Sequence, residues 1–406
     1  MNRTRAAWID VELENIVHNV KAVQALAQKD AGRPVMAMPV IKGNAYGHGI
    51  FEVARILGES GVEWMAVATY SEARLARLAA PQAKVLILGY TPLDMMGEIV
   101  RYGIRPCVYT YEQALTLSQQ AQAQGKTAYI HIKVDTGMHR LGFNVSEQSA
   151  DTVAAICDLP NVCVEGLFTH FATSAMREKE YVHYQYRGFA AFKEMLAARG
   201  VDIPVKHLSN CGIILDSPEY HQDMIRFGSM VFGSYSSNEV CKARVQLKDA
   251  FALRAEVACV KELAPGEGVG YDLAFIAQRP TRIAVLPLGY ADMICLRRLK
   301  NKGYVLLHGK RAPMVGCVCM DQLMIDVTEI ENVAMGDVAT LIGRDGDEVL
   351  TLQEVADRVG TDGYEVLLSN TQRLPIRYWK GGEMIGALGI DTSSWKNGYD
   401  PDHNYG

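Results

Sequence analysis

The sequence has no apolar run near the roughly 18 residues that span a bilayer. No membrane segment is expected. It also lacks a positive excess: 41 Lys and Arg face 46 Asp and Glu, for a net charge of −5. A chain so charged has little with which to neutralise a phosphate backbone, so nucleic acid is not an expected partner. Its nine Cys are scattered, odd in number and free of any C-x-x-C pair. They read as reduced thiols of a cytoplasmic protein and not as a disulfide scaffold. No h-region follows the N-terminus, where Arg3-Thr4-Arg5 leads into Trp8-Ile9-Asp10, so no secretory signal is expected. Several motifs are missing: G-x-x-x-x-G-K-[ST], G-x-S-x-G, H-E-x-x-H and any Cys/His cluster. The expectation is therefore no nucleotide P-loop, no serine-hydrolase elbow and no metal.

What is present is an ordinary globular composition, 49% hydrophobic and 21% charged over 406 residues. At this length two domains are the expectation. Eight short apolar runs read as strands: 35–42, 64–69, 85–88, 105–110, 129–135, 162–170, 205–210 and 224–228. Between most of them lie stretches with helical spacing, among them 50–59, 111–124, 146–158 and 176–199. Eight strand–helix units in about 230 residues is the arithmetic of a (β/α)8 barrel, here 10–243. Beyond residue 245 the pattern turns strand-rich, at 250–261, 281–286, 303–307, 314–319, 323–327 and 337–342. Only 351–358 has helical spacing there. The fold class is thus α/β, an N-terminal TIM-like barrel with a C-terminal mostly β domain over 244–385. Residues 1–9 are expected to pack on that second domain. The stretch 386–406 reads as a polar tail.

The first barrel strand ends in Pro39-Val40-Ile41-Lys42-Gly43-Asn44-Ala45-Tyr46-Gly47-His48-Gly49. Active sites of these barrels gather at the C-terminal strand ends. A lysine there loses solvation, its pKa falls, and it can form Schiff bases with carbonyls. The small and polar residues behind it suit an anion.

This segment resembles the pyridoxal-phosphate signature of the alanine racemase family, whose members pair a barrel with a β domain. The resemblance runs over nearly the whole chain. It includes Arg5-Ala6-Ala7-Trp8-Ile9-Asp10, Lys133-Val134-Asp135-Thr136-Gly137-Met138-His139-Arg140-Leu141-Gly142 and Gly166-Leu167-Phe168-Thr169-His170-Phe171-Ala172-Thr173. It continues in Ile225-Arg226-Phe227-Gly228, Gly268-Val269-Gly270-Tyr271, Gly289-Tyr290-Ala291-Asp292 and Gly316-Cys317-Val318-Cys319-Met320-Asp321-Gln322. The resemblance implies a racemase that converts L-alanine to D-alanine with pyridoxal 5'-phosphate and supplies cell-wall peptidoglycan. Lys42 carries the cofactor and serves as one base, and Tyr271 is the other, made acidic through His170 and Arg226. Arg226 also faces the pyridine nitrogen. Arg140 takes the substrate carboxylate, and Lys133 matches a lysine often carbamylated. Tyr46, Asn210, Cys211, Gly228 and Ser229 surround the phosphate. Tyr290, Cys319, Met320 and Asp321 border the substrate, and Tyr271 with Cys319, Met320 and Asp321 is contributed across a homodimer.

The sequence departs from the family pattern in two places. Cys211 stands where a serine hydroxyl commonly meets phosphate, while Ser229 stands where an aliphatic residue is usual; Gln372 falls near a common phosphate-binding tyrosine. Ala175 and Cys317 occupy positions that in many members form a charged gate. Losing both partners leaves no unpaired charge, and it opens serine or a broader amino-acid range as the alternative substrate. Two other classes compete: a decarboxylase on the same fold type, and a single-barrel cofactor carrier without catalysis. The first leaves the Tyr271 segment unexplained, and the second lacks the β domain that bears it.

Overall fold

The structure is a computed structural model and describes residues 5–389. The chain divides into two compact units.

One unit holds Asn15–Tyr46 and Ile50–Lys248. Its eight parallel strands are Met36–Pro39, Trp64–Val67, Lys84–Ile87, Arg105–Val108, Ala128–Asp135, Val162–Phe168, Val205–His207 and Met224–Phe227. Six of them, from Trp64–Val67 to Val205–His207, form one continuous sheet, and Met224–Phe227 pairs back onto Met36–Pro39. Two seams complete the ring. The Ile41 amide donates to the Ala66 carbonyl at 2.8 Å, and the Arg226 amide to the Ser209 carbonyl at 3.0 Å. The strands are buried on both faces, which is why they read as apolar runs without alternation. Met38, Val40, Trp64, Ala66, Leu86 and Met224 pack together as part of the core. Intervening helices start on side-chain caps. Thr69 with Glu72 and Thr110 with Gln113 form reciprocal capping boxes, and Ser146 caps the helix after it. The long helix read from 176 begins only at Glu180.

The other unit holds the described residues up to Glu14, Gly47–Gly49 and the described residues from Asp249 on. Its eleven-stranded sheet places Ala7–Glu12 between Phe251–Glu256 and Ile376–Lys380. Phe251–Glu256 alternates buried and half-buried residues, the period-two signature of a strand with one covered face. Asp10 is buried there, and its carboxylate accepts from the Trp8 indole, the Trp379 indole and Arg254. Because Asp10 and Val11 pair with Ala252 and Phe251, the first boundary lies after Glu14 and not at residue 10. Among the elements not expected from sequence are two near the end of the described chain. A second short helix, Gly363–Leu368, follows Leu352–Val359. Strand Glu383–Leu388 pairs with Ile376–Lys380, so regular structure runs past the expected start of the polar tail at 386. The rest of that tail lies outside the described residues. No helix among the described residues is long and apolar enough to cross a membrane.

Candidate active site

Lys42 follows directly on the seam between the first two barrel strands. The backbone after it turns left-handed, with φ of 64° at Gly43, 52° at Asn44, 55° at Ala45 and 52° at Tyr46. For non-glycine residues this conformation costs roughly 1–2 kcal/mol each. Glu72 holds it in place. One carboxylate oxygen accepts from the Gly43 and Asn44 amides at 2.6 and 3.3 Å, and the other accepts from Ala68 and Thr69 at 2.9 and 3.3 Å. Asn44 Oδ1 then takes the Ile50 amide at 2.8 Å, where the next helix starts. The anticipated helix opening is therefore a strained left-handed turn directly after Lys42. Strain concentrated at one such position is a mark of a functional site. Lost solvation, then the nearby Arg140 charge, lower the Lys42 pKa, and Glu72 opposes them.

Arg226 is the penultimate residue of the eighth strand and is 4% exposed. Its guanidinium donates to the Thr169, His207 and Leu208 carbonyls at 2.7, 2.5 and 3.3 Å and to His207 Nδ1 at 2.9 Å. Nη2 lies 3.5 Å from His170 Nδ1. Burial pushes its pKa down, but a delocalised guanidinium keeps its proton.

The nearest anion in this chain of contacts is reached through two histidines. His207 Nε2 and His131 Nδ1 are 2.8 Å apart, and His131 Nε2 lies 3.7 Å from the Glu165 carboxylate. Arginine only donates, so His207 Nδ1 must accept, His207 Nε2 carries the proton, and His131 Nδ1 accepts it. His131 Nε2 makes no hydrogen bond and feels the Glu165 carboxylate only by proximity. The polarity of the run from Arg226 through His207 to His131 is thereby fixed. Burial and the Arg226 charge hold His207 and His170 well below the usual histidine range. His131 is also lowered, chiefly by burial. Burial would raise Glu165, but His131, Arg105 and Lys84 outweigh it and hold it at about 2. Gly166 makes the space: a Cβ there would come within 2.2 Å of His131 Nδ1. Sequence reasoning missed His131, His207 and Glu165. The available signal was His131 two residues before Lys133, on the same strand face.

Lys133 is 5% exposed, and burial lowers its pKa to about 7. Cys107 beside it is pushed by burial to about 12, so it stays a neutral thiol and offers no countercharge. Asp135 accepts from the Gly137, His139 and Arg140 amides at 2.9, 3.0 and 3.1 Å, which fixes the loop carrying the exposed Arg140.

Tyr46, Asn210, Cys211, Gly228 and Ser229 lie just beyond the ends of the first, seventh and eighth strands. A Cβ at Gly228 would come within 2.3 Å of the Tyr46 hydroxyl, so that hydroxyl lies close over the backbone. Burial first, then Cys211 and Glu72, raise the Tyr46 pKa and keep a neutral donor. Ser229 Oγ is 3.6 Å from Cys211 Sγ. Asn210 uses its side chain locally, accepting from Ile213 and donating to Phe171. The barrel thus gathers Lys42, Tyr46, Lys133, Arg140, His170, Asn210, Cys211, Arg226, Gly228 and Ser229.

The other five expected residues lie in the second unit. Tyr290 and Ala291 amides donate to the Cys319 and Met320 carbonyls at 3.1 and 3.0 Å, and Asp321 pairs with Arg373 at 2.8 Å. Met320 is exposed, and Tyr271 is 70% exposed.

Residues 11–236 match the model of the alanine racemase N-terminal domain, and 250–378 match that of the C-terminal domain. Together they cover most of the chain. It belongs to the alanine racemase family. The chain is 38% identical to alanine racemase 1 of Clostridium acetobutylicum, over 94% of this chain and 97% of that one. It is 41% identical to an alanine racemase of Methanococcus maripaludis, over 86% and 91%. The structure of alanine racemase from Clostridium difficile 630 superposes with a TM-score of 0.90 at 32% identity, covering 96% and 99%. A histidine racemase from Leuconostoc mesenteroides superposes at 0.84 with 27% identity, covering 93% and 99%. Membership makes this chain an isomerase of the alanine racemase type.

Proposed function

We propose that this chain interconverts L- and D-alanine with pyridoxal 5'-phosphate, Lys42 and Tyr271 serving as bases on opposite faces of the substrate. The observation that carries the reading is the grouping of Lys42, a buried guanidinium and a hydroxyl-lined anion cradle within one barrel mouth. The residues fit that cofactor: an amine of lowered pKa for its aldehyde, Arg226 for its ring nitrogen, and Tyr46 with Gly228 for its phosphate. When bound, pyridoxal phosphate draws electrons from an amino acid's Cα and acidifies the α-proton.

Lys42 can take that proton, because its depressed pKa leaves more neutral amine than an ordinary lysine has. Arg226 offers a hydrogen bond but no proton, so a pyridine nitrogen facing it stays uncharged. Such a sink is weaker, and it limits side reactions such as transamination. Arg140 presents a fork suited to a carboxylate. A lysine titrating near 7 is a nucleophile toward carbon dioxide at neutral pH, which supports carbamylation of Lys133. Tyr271 stands open on the second unit, as a residue delivered to a second copy would, and a homodimer with shared sites follows. Supply of D-alanine for peptidoglycan in the cytoplasm belongs to the same reading.

A second substrate range has its own support. Ala175 and Cys317 are uncharged, and one structural neighbour bears the name histidine racemase. Chiral product analysis with L-alanine, L-serine and L-histidine, with and without added cofactor, tests both readings. Equal D and L alanine as the fastest reaction supports the first; faster serine or histidine supports the second. Racemisation of none, despite bound cofactor, removes both.

A further inference from the structure

Ser229 is 2% exposed, so its hydroxyl must find its partners inside the protein. Its recorded contact is the Cys211 sulfur at 3.6 Å, and a thiol sulfur is a weak acceptor. A buried hydroxyl with so poor a partner has donor capacity left over. Ser229 follows Gly228, over which the Tyr46 hydroxyl lies too close to admit a side chain. The Tyr46 ring is held 5.3 Å from the Phe232 ring, at the end of the short helical turn that Ser229 begins. The Tyr46 hydroxyl thus lies over the backbone at Gly228, Ser229 is the next residue, and the Cys211 thiol lies beside it.

We infer that the Ser229 hydroxyl is the side-chain donor that binds the cofactor's phosphate from the eighth strand, and that Cys211 excludes water beside it without donating. The inference rests on the cofactor reading above and deepens it. An anion oxygen is a far stronger acceptor than sulfur, so the hydroxyl turns from Cys211 to the phosphate by rotation of one bond.

The test is equilibrium binding to cofactor-free protein, followed by absorbance, with pyridoxal phosphate and with pyridoxal, which lacks the phosphate. Ser229→Ala is expected to weaken pyridoxal phosphate by about ten- to a hundredfold, the scale of one hydrogen bond to a charged group. Pyridoxal should change by less than about twofold, because the lost donor faces only phosphate. Ser229→Cys, nearly the same size, should follow Ser229→Ala, and Cys211→Ala should lose less affinity for pyridoxal phosphate than Ser229→Ala does. Unchanged affinity in Ser229→Ala overturns the inference. So does an equal loss for both ligands, or a larger loss in Cys211→Ala than in Ser229→Ala. Wild-type protein that takes up neither ligand removes the cofactor reading itself, an outcome that does not depend on Ser229.

Discussion

Lys133, where it is not carbamylated, is a buried amine whose Nζ donates to the Val134 carbonyl at 3.1 Å. Its pKa of about 7 against an ordinary 10.5 means the unfolded chain binds a proton between these pH values that the folded chain does not. Stability from this group therefore rises with pH from 7 toward 10.5, and the penalty is full below 7. Lys133→Met is expected to flatten that slope and to stabilise the protein at pH 6.5 by a few kcal/mol, on the order set by the shift. Urea denaturation at pH 6.5, 8 and 9.5 checks it. Glu165 has the opposite sign. Its folded pKa near 2 lies below the ordinary 4.5, so its contribution is present above 4.5 and lost as pH falls toward 2. Glu165→Gln should cost roughly 1–3 kcal/mol at pH 7, and the gap to wild type should close as pH drops below 4.5. A gap that stays constant down to pH 3 would show that the carboxylate charge plays no part.

At the scale of elements, the left-handed turn after Lys42 and the helix that begins at Tyr70 share one carboxylate. Glu72→Ala removes acceptors for four amides, of which those of Gly43 and Asn44 lie in the strained turn. We expect a loss of about 1–3 kcal/mol and faster hydrogen exchange at Gly43 and Asn44 than at Val53. Equal exchange at the turn in both proteins would mean that packing, not Glu72, holds it. Gly166→Ala is expected to displace His131 and weaken the relay, since a methyl group has no space 2.2 Å from the imidazole. The sequence pattern showed the eight barrel strands plainly because parallel strands covered on both faces are continuous apolar runs. It did not show Glu383–Leu388, whose residues are mostly exposed and which exists through pairing with Ile376–Lys380. Nor did it show Gly363–Leu368, six residues held by an Asp362 cap and too short for a period.

For the whole molecule, the placing of Tyr271 on one unit and Lys42 on the other gives a test that needs no structure of a dimer. Lys42→Ala and Tyr271→Phe should each be inactive alone. Unfolded and refolded together, they should regain up to about a quarter of wild-type activity, because half of the pairs are mixed and each mixed pair has one intact site. Recovery of none would show that both bases belong to the same chain.

The sequence by itself determined the class of fold, the order of the units and the residue types of the chemistry. Periodicity is local, and a lysine at a strand end or a buried-strand arginine is visible without coordinates. Only the tertiary structure decided what those residues feel. The Lys133 pKa depends on burial by groups distant in sequence. The acceptor role of His207 follows from a guanidinium nineteen residues away. Glu165 lies near His131 and His207 only because the strands bearing them flank its own in the ring. Electrostatics and hydrogen bonding act through space, and the spacing along the chain does not encode them.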